Sequence, residues 1–417
     1  MPYRPRVVDA ELRARLQATG AVLIEGPKAC GKTATARQVA RSEVRFDTDA
    51  GARRLVEMAP ALVLEGETPR LFDEWQLAPD LWNHVRRAVD DRQAPGQFVL
   101  TGSAVPADDI TRHTGAGRVG RMQMRPMSLY ETGVSTGAAS LRELMRGGTL
   151  AARGHGLAVP DLADHVVRGG WPGLLDLSLD AARRVLLDYV NDISRTDIQR
   201  VDGVRRDPQR VAQFLRSLAR HVGSAVGVAE LARDAGAQDV NGIKADTARE
   251  YLDALTRLGV IEDCPPWTPH LRSRAVVRSV PTRYFIDPSL AAAALRATPA
   301  ALLRDLHTFG FLFESLVLRD LRVFAQANDM TVRNFRDNTG LEVDAVVTSD
   351  TGAWGAFEIK LGERQVDAAA ETLHRFAAKV DGKQHGAPQC LGVIVPTPYG
   401  YRRPDGVSVI PVDALGP

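Results

Sequence analysis

Residues 21–40 read AVLIEGPKACGKTATARQVA. A short apolar run ends on Gly26, a second glycine follows at Gly31, and Lys32-Thr33 opens a segment of helix formers. Few arrangements satisfy this string. The apolar run is a buried strand, the glycines let the backbone curl, and the helix that follows turns its first N–H groups into the curl. Such a nest holds an anion, and Gly26, Gly31, Lys32 and Thr33 match G-x-x-x-x-G-K-[ST]. Lys32 then reaches the β- and γ-phosphates of ATP, and Thr33 ligates Mg²⁺. Cys30 lies inside the loop, either as a small tolerated side chain or as a redox-sensitive thiol.

A phosphate loop calls for a second strand that ends in carboxylates. PRLFDEWQ supplies it, with Asp73 for the magnesium shell and Glu74 to orient and polarise the attacking water. GQFVLTGS puts Thr101 and Ser103 at the end of a third apolar strand, where parallel sheets meet their ligands. Either residue is placed to sense the γ-phosphate. Arg118, after a glycine-rich turn, is the candidate arginine finger, with Arg121 second. A finger acting in trans implies a homo-oligomer. The strands and helical patterns alternate over residues 1–135, which predicts an α/β unit with a parallel sheet.

The phosphate loop, D-E-x-Q, L-T-G-S, A-G-R-x and P-x-S-L-x-E occur here in that order. In this the chain resembles, over nearly its whole length, a family of prokaryotic AAA-type ATPases whose C-terminal region is a domain of unknown function. Trp75 stands where many members carry an aliphatic residue. The resemblance implies an architecture more than a biological role.

Beyond the loop-like stretches at 132–140 and 146–156 and the GGWPG turn at 169–173, helix follows helix. SAVGVAELARDAG and then DTAREYLDALTRLGVIED have the form of a winged helix-turn-helix. Asp246 or Thr247 is the expected N-cap, and Ala248, Tyr251, Leu252, Leu255 and Leu258 form the buried stripe. Arg249 and Arg257 could face outward. The whole chain carries 53 basic and 51 acidic residues, a net charge of +2, so any nucleic-acid face must be local. Arginines 195, 200, 205, 206, 210, 216 and 220 form one local run and arginines 272, 274, 278 and 283 another. On one face they would neutralise phosphates. On separate faces they are solvated, and the winged helix binds protein instead.

The tail carries Glu314 on a helical pattern, Asp344 in GLEVDAVV, Glu358 and Lys360 in GAFEIKLG, and then another helical pattern. This resembles the PD-(D/E)xK nuclease core. Asp344 and Glu358 on neighbouring strands, helped by Glu314, would hold Mg²⁺ or Mn²⁺. Lys360, two residues after Glu358, shares its face of the strand and would orient or deprotonate a water, or steady charge on the phosphorus. Glu342 is a further ligand or a surface acid, and Gln365 adds little.

The predicted order is thus an AAA-type P-loop ATPase core (1–135), a helical lid or linker (136–190), a winged-helix region (191–295) and a PD-(D/E)xK nuclease-like α/β domain (296–417). The expected activity is ATP hydrolysis joined to metal-dependent action on branched, flapped or single-stranded DNA, in repair, recombination or defence. Two alternatives differ in class: a nucleotide-switched regulator or scaffold that cuts nothing, and an ATP-driven DNA motor or helicase using the tail as a grip. Cys30, Cys264 and Cys390 are scattered without zinc spacing, the N-terminus lacks a signal-peptide core, and no run approaches the ~18 apolar residues of a membrane helix. A cytoplasmic protein without a membrane partner is expected.

Overall fold

The computed structural model describes residues 2–102, 114–148, 150–237, 242–268 and 280–417. The chain falls into two compact units. The first takes Met1–Pro126 together with Arg195–Arg206 and Asp253–Val260, and the second takes Met127–Ser194, Asp207–Leu252 and Ile261–Pro417.

The first unit is built on five parallel strands: β1 (Ala21–Glu25), β2 (Ser42–Arg45), β3 (Arg70–Asp73), β4 (Phe98–Thr101) and β5 (Val119–Gln123), in the order β2-β3-β4-β1-β5. The apolar run of β1 is flanked on both sides and buried throughout, as a central parallel strand requires. Phe46, Phe72 and Phe98 stack in series at 6.1 and 5.6 Å. Helix Leu81–Arg92 buries Leu81, Trp82, Val85 and Val89, a helical stripe against that layer. Pairing levels Ile24 and Asp73 with Thr101, so the carboxyl ends of β1, β3 and β4 meet at one edge.

The second unit begins with short strands β6 (Ala139–Ser140) and β7 (Ala152–Arg153) and a helical run. Helices Pro208–Arg220 and Val228–Ala235 pack together, with Ser217 Oγ donating to the carbonyl of Leu231 at 3.1 Å. A third helix, Ala245–Arg257, begins at Ala245, so Asp246 and Thr247 fall in its first turn rather than at its cap. Tyr251 from this helix meets the Phe214 ring edge-on at 5.8 Å. Strands β8 (Ile261–Cys264) and β9 (Thr282–Phe285) then pair antiparallel.

The main sheet of this unit adds β10 (Met330–Arg336), β11 (Glu342–Ser349), β12 (Trp354–Ile359), β13 (Cys390–Val395), β14 (Tyr399–Arg402) and β15 (Ser408–Pro411), in the order β10-β11-β12-β13-β15-β14-β7. The ladder is antiparallel as far as β12 and parallel from β12 through β13 to β15. Helix Val366–Lys379 crosses between β12 and β13 and lays Val366, Ala369, Ala370, Leu373 and Phe376 on the sheet. Helix Leu306–Gln326, which carries Glu314, packs on β10, β11 and β12.

A buried ionic knot ties the second unit together. Arg319 bonds Asp287 and Asp320, each at 2.7 Å, with side chains at most 4% exposed. Asp320 also accepts from the Leu129 amide, and Asp287 from the Gly170 amide. The GGWPG turn is therefore anchored through Gly170, and again through Trp171 Nε1 on Ser289 Oγ at 2.9 Å.

Candidate active site

In the first unit the loop between β1 and helix Lys32–Ala36 sits at the carboxyl edge of the sheet. Gly26 takes φ +154°, and a Cβ there would lie 2.1 Å from the Met124 carbonyl oxygen, so no other residue fits. Lys32 is 6% exposed and donates from Nζ to the carbonyls of Gly26 (2.8 Å) and Pro27 (2.7 Å). Its ammonium is thus held inside the loop that would receive phosphate. Asp73 Oδ1 accepts from Thr33 Oγ1 at 2.7 Å and Thr101 Oγ1 at 2.5 Å. A hydroxyl and a carboxylate brought together at the loop are hard oxygen donors, and this pair fits Mg²⁺. Thr101 is thereby committed to Asp73. Ser103 lies outside the described residues. Glu74 follows Asp73 with φ +54° and its carboxylate accepts from the Gln76 amide.

Arg118 stands elsewhere. Its carbonyl accepts from the Ala21 amide, so it flanks the amino end of β1, about 16 Å of strand from the loop. Its guanidinium meets Asp90 at 2.8 Å, which holds that carboxyl below its ordinary range. Arg121 pairs with Glu25 and lies over Trp82. The Arg118 contact keeps its guanidinium at the far end of β1 from the loop, whereas Arg121 reaches Glu25, the residue just before Gly26.

Three contacts on the loop escape sequence reading. Arg6 bonds the carbonyls of Cys30 (2.8 Å) and Arg125 (2.7 Å), clamping the loop from behind. Lys28 pairs with Asp197. Gly259 approaches so closely that a Cβ there would be 3.1 Å from Pro27 N. The only sequence signal among these was a lysine, Lys28, inside the loop. Cys30 is fully buried, with Sγ directed to the Met124 carbonyl, the setting of a small packed side chain.

In the second unit Lys360 Nζ lies 2.9 Å from Asp344 Oδ2 and 2.6 Å from Glu358 Oε2. Asp344 Oδ2 also accepts from the Ile359 amide at 2.8 Å. Register slips by one residue on β11 between Val343 and Val346, the span holding Asp344, and such bulges re-aim side chains beside sites. Glu358 is 4% exposed, and its Oε1 is buried without a hydrogen-bond partner. Burial, then the charge of Asp344, pushes the Glu358 carboxyl up to about 8 despite Lys360. Lys360 is raised too, because the two carboxylates outweigh the burial that disfavours its ammonium.

Glu314 lies near this pair and is hydrogen-bonded to Tyr284. Its Oε1 accepts from Tyr284 OH at 2.5 Å, and burial, then the nearby Asp344, raises its carboxyl well above the usual range. Glu342 is outside the cluster, paired with Arg336 at 3.0 Å. Among the described residues no three of His, Cys, Asp and Glu gather as a ready-made metal site. The expectation of three carboxylates sharing an ion gives way to two carboxylates around a lysine. Asp344 with the open Glu358 oxygen still fits Mg²⁺, which takes one or two protein carboxylates and fills its shell with water and phosphate.

The arginine runs are partly spent on packing. In the first unit Arg206 is buried against Asp202, while Arg195, Arg200 and Arg205 are exposed. In the second Arg220 pairs with Asp234 and Arg283 bonds the Val226 carbonyl, while Arg216 is exposed. Arg272, Arg274 and Arg278 lie outside the described residues. Among the described residues no helix is long and apolar enough to cross a membrane.

Three stretches of the chain match known families. Residues 18–133 match the AAA domain, and residues 159–301 and 309–415 match two domains of unknown function, DUF8612 and DUF4143. Uncharacterized proteins of Mycobacterium bovis and Mycobacterium tuberculosis are each 28% identical, over 98% of this chain and 84% of their own. Among solved structures, the Walker-type ATPase of Pyrococcus abyssi is 15% identical, aligns over 70% of this chain and 99% of its own, and has a TM-score of 0.42. The AAA match falls on the five-stranded unit and its Lys32–Thr33–Asp73 cluster, and with that geometry it makes the N-terminal part of the chain an AAA-type P-loop ATPase domain.

Proposed function

We propose that the ATPase domain governs a tail that cuts nucleic acid with a divalent metal. The observation that carries this reading is the meeting of Asp344, Glu358 and Lys360 within 2.9 Å, at the junction of two antiparallel strands and a parallel crossover. The unpartnered Glu358 oxygen supports it, since a buried carboxylate oxygen left open costs free energy unless something fills it. In this reading Asp344 and Glu358 hold Mg²⁺ or Mn²⁺, which lowers the pKa of a bound water, and Lys360 offers positive charge to the phosphate. Three helices followed by the β8–β9 pair support a winged helix that delivers DNA, with Arg216 available for phosphate.

One observation favours a second reading. Lys360 already occupies the space between the two carboxyl groups, and Tyr284 donates a hydrogen bond to Glu314. A tail that binds without cutting, under nucleotide control, suits that arrangement. The separating experiment incubates full-length protein with Mg²⁺ or Mn²⁺ and flapped, branched and single-stranded DNA. Cleavage that disappears in Asp344→Ala while ATP turnover persists supports the nuclease. Equal inertness of wild type and variant across the panel gives the case to the binding tail.

A further inference from the structure

A cavity of about 500 Å³ opens beside the Asp344–Glu358–Lys360 cluster. One wall is a single face of helix Leu306–Gln326: His307, Gly310, Phe311 and Glu314, spaced three and four residues apart. The other wall is the turn that continues β12 past Lys360, through Gly362 to Gln365. Its size is that of a site for a small molecule or one nucleotide unit, since such pockets run from about 300 to 1,000 Å³.

The wall chemistry is specific. Phe311 is half-buried, and the exposed His307 ring meets it edge-on, centroids 5.1 Å apart. Gly223, with φ +73°, packs against Phe311, and a Cβ there would come within 2.8 Å of the ring, so the phenyl is held in place. At Gly310 a Cβ would meet nothing within 4 Å, so the surface beside Phe311 is open to a flat group. Gln365 and His307 bring hydrogen-bonding side chains to the lining. Lys360, the cation expected to face a phosphate, also lines the cavity. An aromatic slot with polar edges, one step from a phosphate-directed cation, has the chemistry of a nucleotide: ring stacked, phosphate at the cluster.

We infer that this cavity takes an unpaired nucleobase of the strand whose phosphate lies at Asp344, Glu358 and Lys360. The inference rests on the nucleic-acid reading of the tail. A base inside a duplex is stacked on both faces and cannot enter, so the cavity selects single-stranded, flapped or flipped nucleotides.

The test uses the full-length wild-type chain in EDTA, so that binding is read without cutting, and a single-stranded oligonucleotide carrying 2-aminopurine. Stacking on Phe311 quenches its fluorescence. Phe311→Leu, which keeps apolar bulk and loses the ring, is expected to remove the quenching and weaken binding about tenfold, the worth of one base–aromatic stack. Phe311→Tyr is expected to keep both, which separates loss of the ring from loss of the fold. The same sequence as a blunt duplex is expected to give no quenching. Quenching and affinity unchanged in Phe311→Leu, equal binding of the duplex, or no binding of the single strand would each overturn the inference. Cleavage in Mg²⁺ that ignores Phe311→Leu leaves the nuclease standing and removes the base slot. Phe311-dependent quenching with no cleavage in any metal keeps the slot and removes the nuclease.

Discussion

Replacing Lys360 with methionine tests the arrangement of the Asp344–Glu358–Lys360 cluster. The ammonium touches two carboxylates at 2.6 and 2.9 Å, with side-chain exposures of 25% for Lys360, 17% for Asp344 and 5% for Glu358. Near pH 7 Glu358, with its pKa at about 8, is mostly protonated, so the charge pair is Lys360–Asp344, whose gross attraction at an effective dielectric of about 20 is roughly 6 kcal/mol, most of it offset by desolvation. Removing one partner of a buried pair costs about 3–5 kcal/mol, and the partial exposure of Lys360 reduces this to about 2–3 kcal/mol near pH 7. At about 2–4 °C per kcal/mol, the second unit should melt roughly 4–12 °C lower. The pH dependence follows from Glu358. Its folded pKa, about 8, lies above the ordinary 4.5, so wild type loses stability as pH rises from 4.5 toward 8 and no further above it. Without the lysine that pKa climbs higher. The variant therefore keeps losing stability above pH 8, and the gap should widen by up to about 1.4 kcal/mol per pH unit. Thermal melts of both proteins at pH 7 and 9, without divalent metal, measure this. Equal melting at pH 7 would mean that the ammonium is not held between the carboxylates. A gap that stays flat from pH 7 to 9 would refute the raised Glu358.

Lys32→Ala should lower ATP turnover at least ~100-fold, as measured by phosphate release, because its ammonium is the charge held against the loop carbonyls of Gly26 and Pro27 while Lys28 is paired with Asp197; normal turnover would remove the nucleotide site. Arg118→Ala should leave turnover within about twofold at protein concentrations low enough to keep the chain monomeric, since Arg118 sits at the far end of β1 from the loop. A large loss only at high concentration would instead mark a finger offered to a second copy. Asp287→Ala should destabilise the second unit by about 3–5 kcal/mol, read as a lowered denaturant midpoint, because it leaves Arg319 half-paired and frees the Gly170 and Ser289 amides. An unchanged midpoint would show that the ionic knot is not a structural tie.

The two sites differ in how much of them the sequence discloses. Gly26, Lys32 and Thr33 act through a local backbone path, and Asp73 and Thr101 could be added because each ends a strand of a parallel sheet. Arg118 shows the limit of that reasoning. A-G-R is a turn in sequence, but whether a turn lies at the amino or carboxyl edge depends on which strand it feeds, and this one feeds β5 at its start. In the tail, Glu358 and Lys360 were legible from strand alternation. The hydrogen bond that Glu314 receives was not, because Tyr284 reaches it from β9, 30 residues upstream. Nor was the single-residue slip in β11, since a bulge leaves the sequence pattern almost untouched.

What this sequence determined alone is therefore chemistry written within a few residues: a glycine-bounded loop before Lys32 and Thr33, and a carboxylate two positions from a lysine. Those features depend on φ/ψ freedom and strand alternation, which are local. The tertiary structure decided which groups meet. It put Arg6 behind the phosphate loop, Asp197 on Lys28, Lys360 between Asp344 and Glu358, and His307 and Phe311 beside that cluster. Apart from the Glu358–Lys360 pair, each of these contacts joins segments distant in the chain. They are selected by the packing of whole strands and helices, which no short stretch encodes.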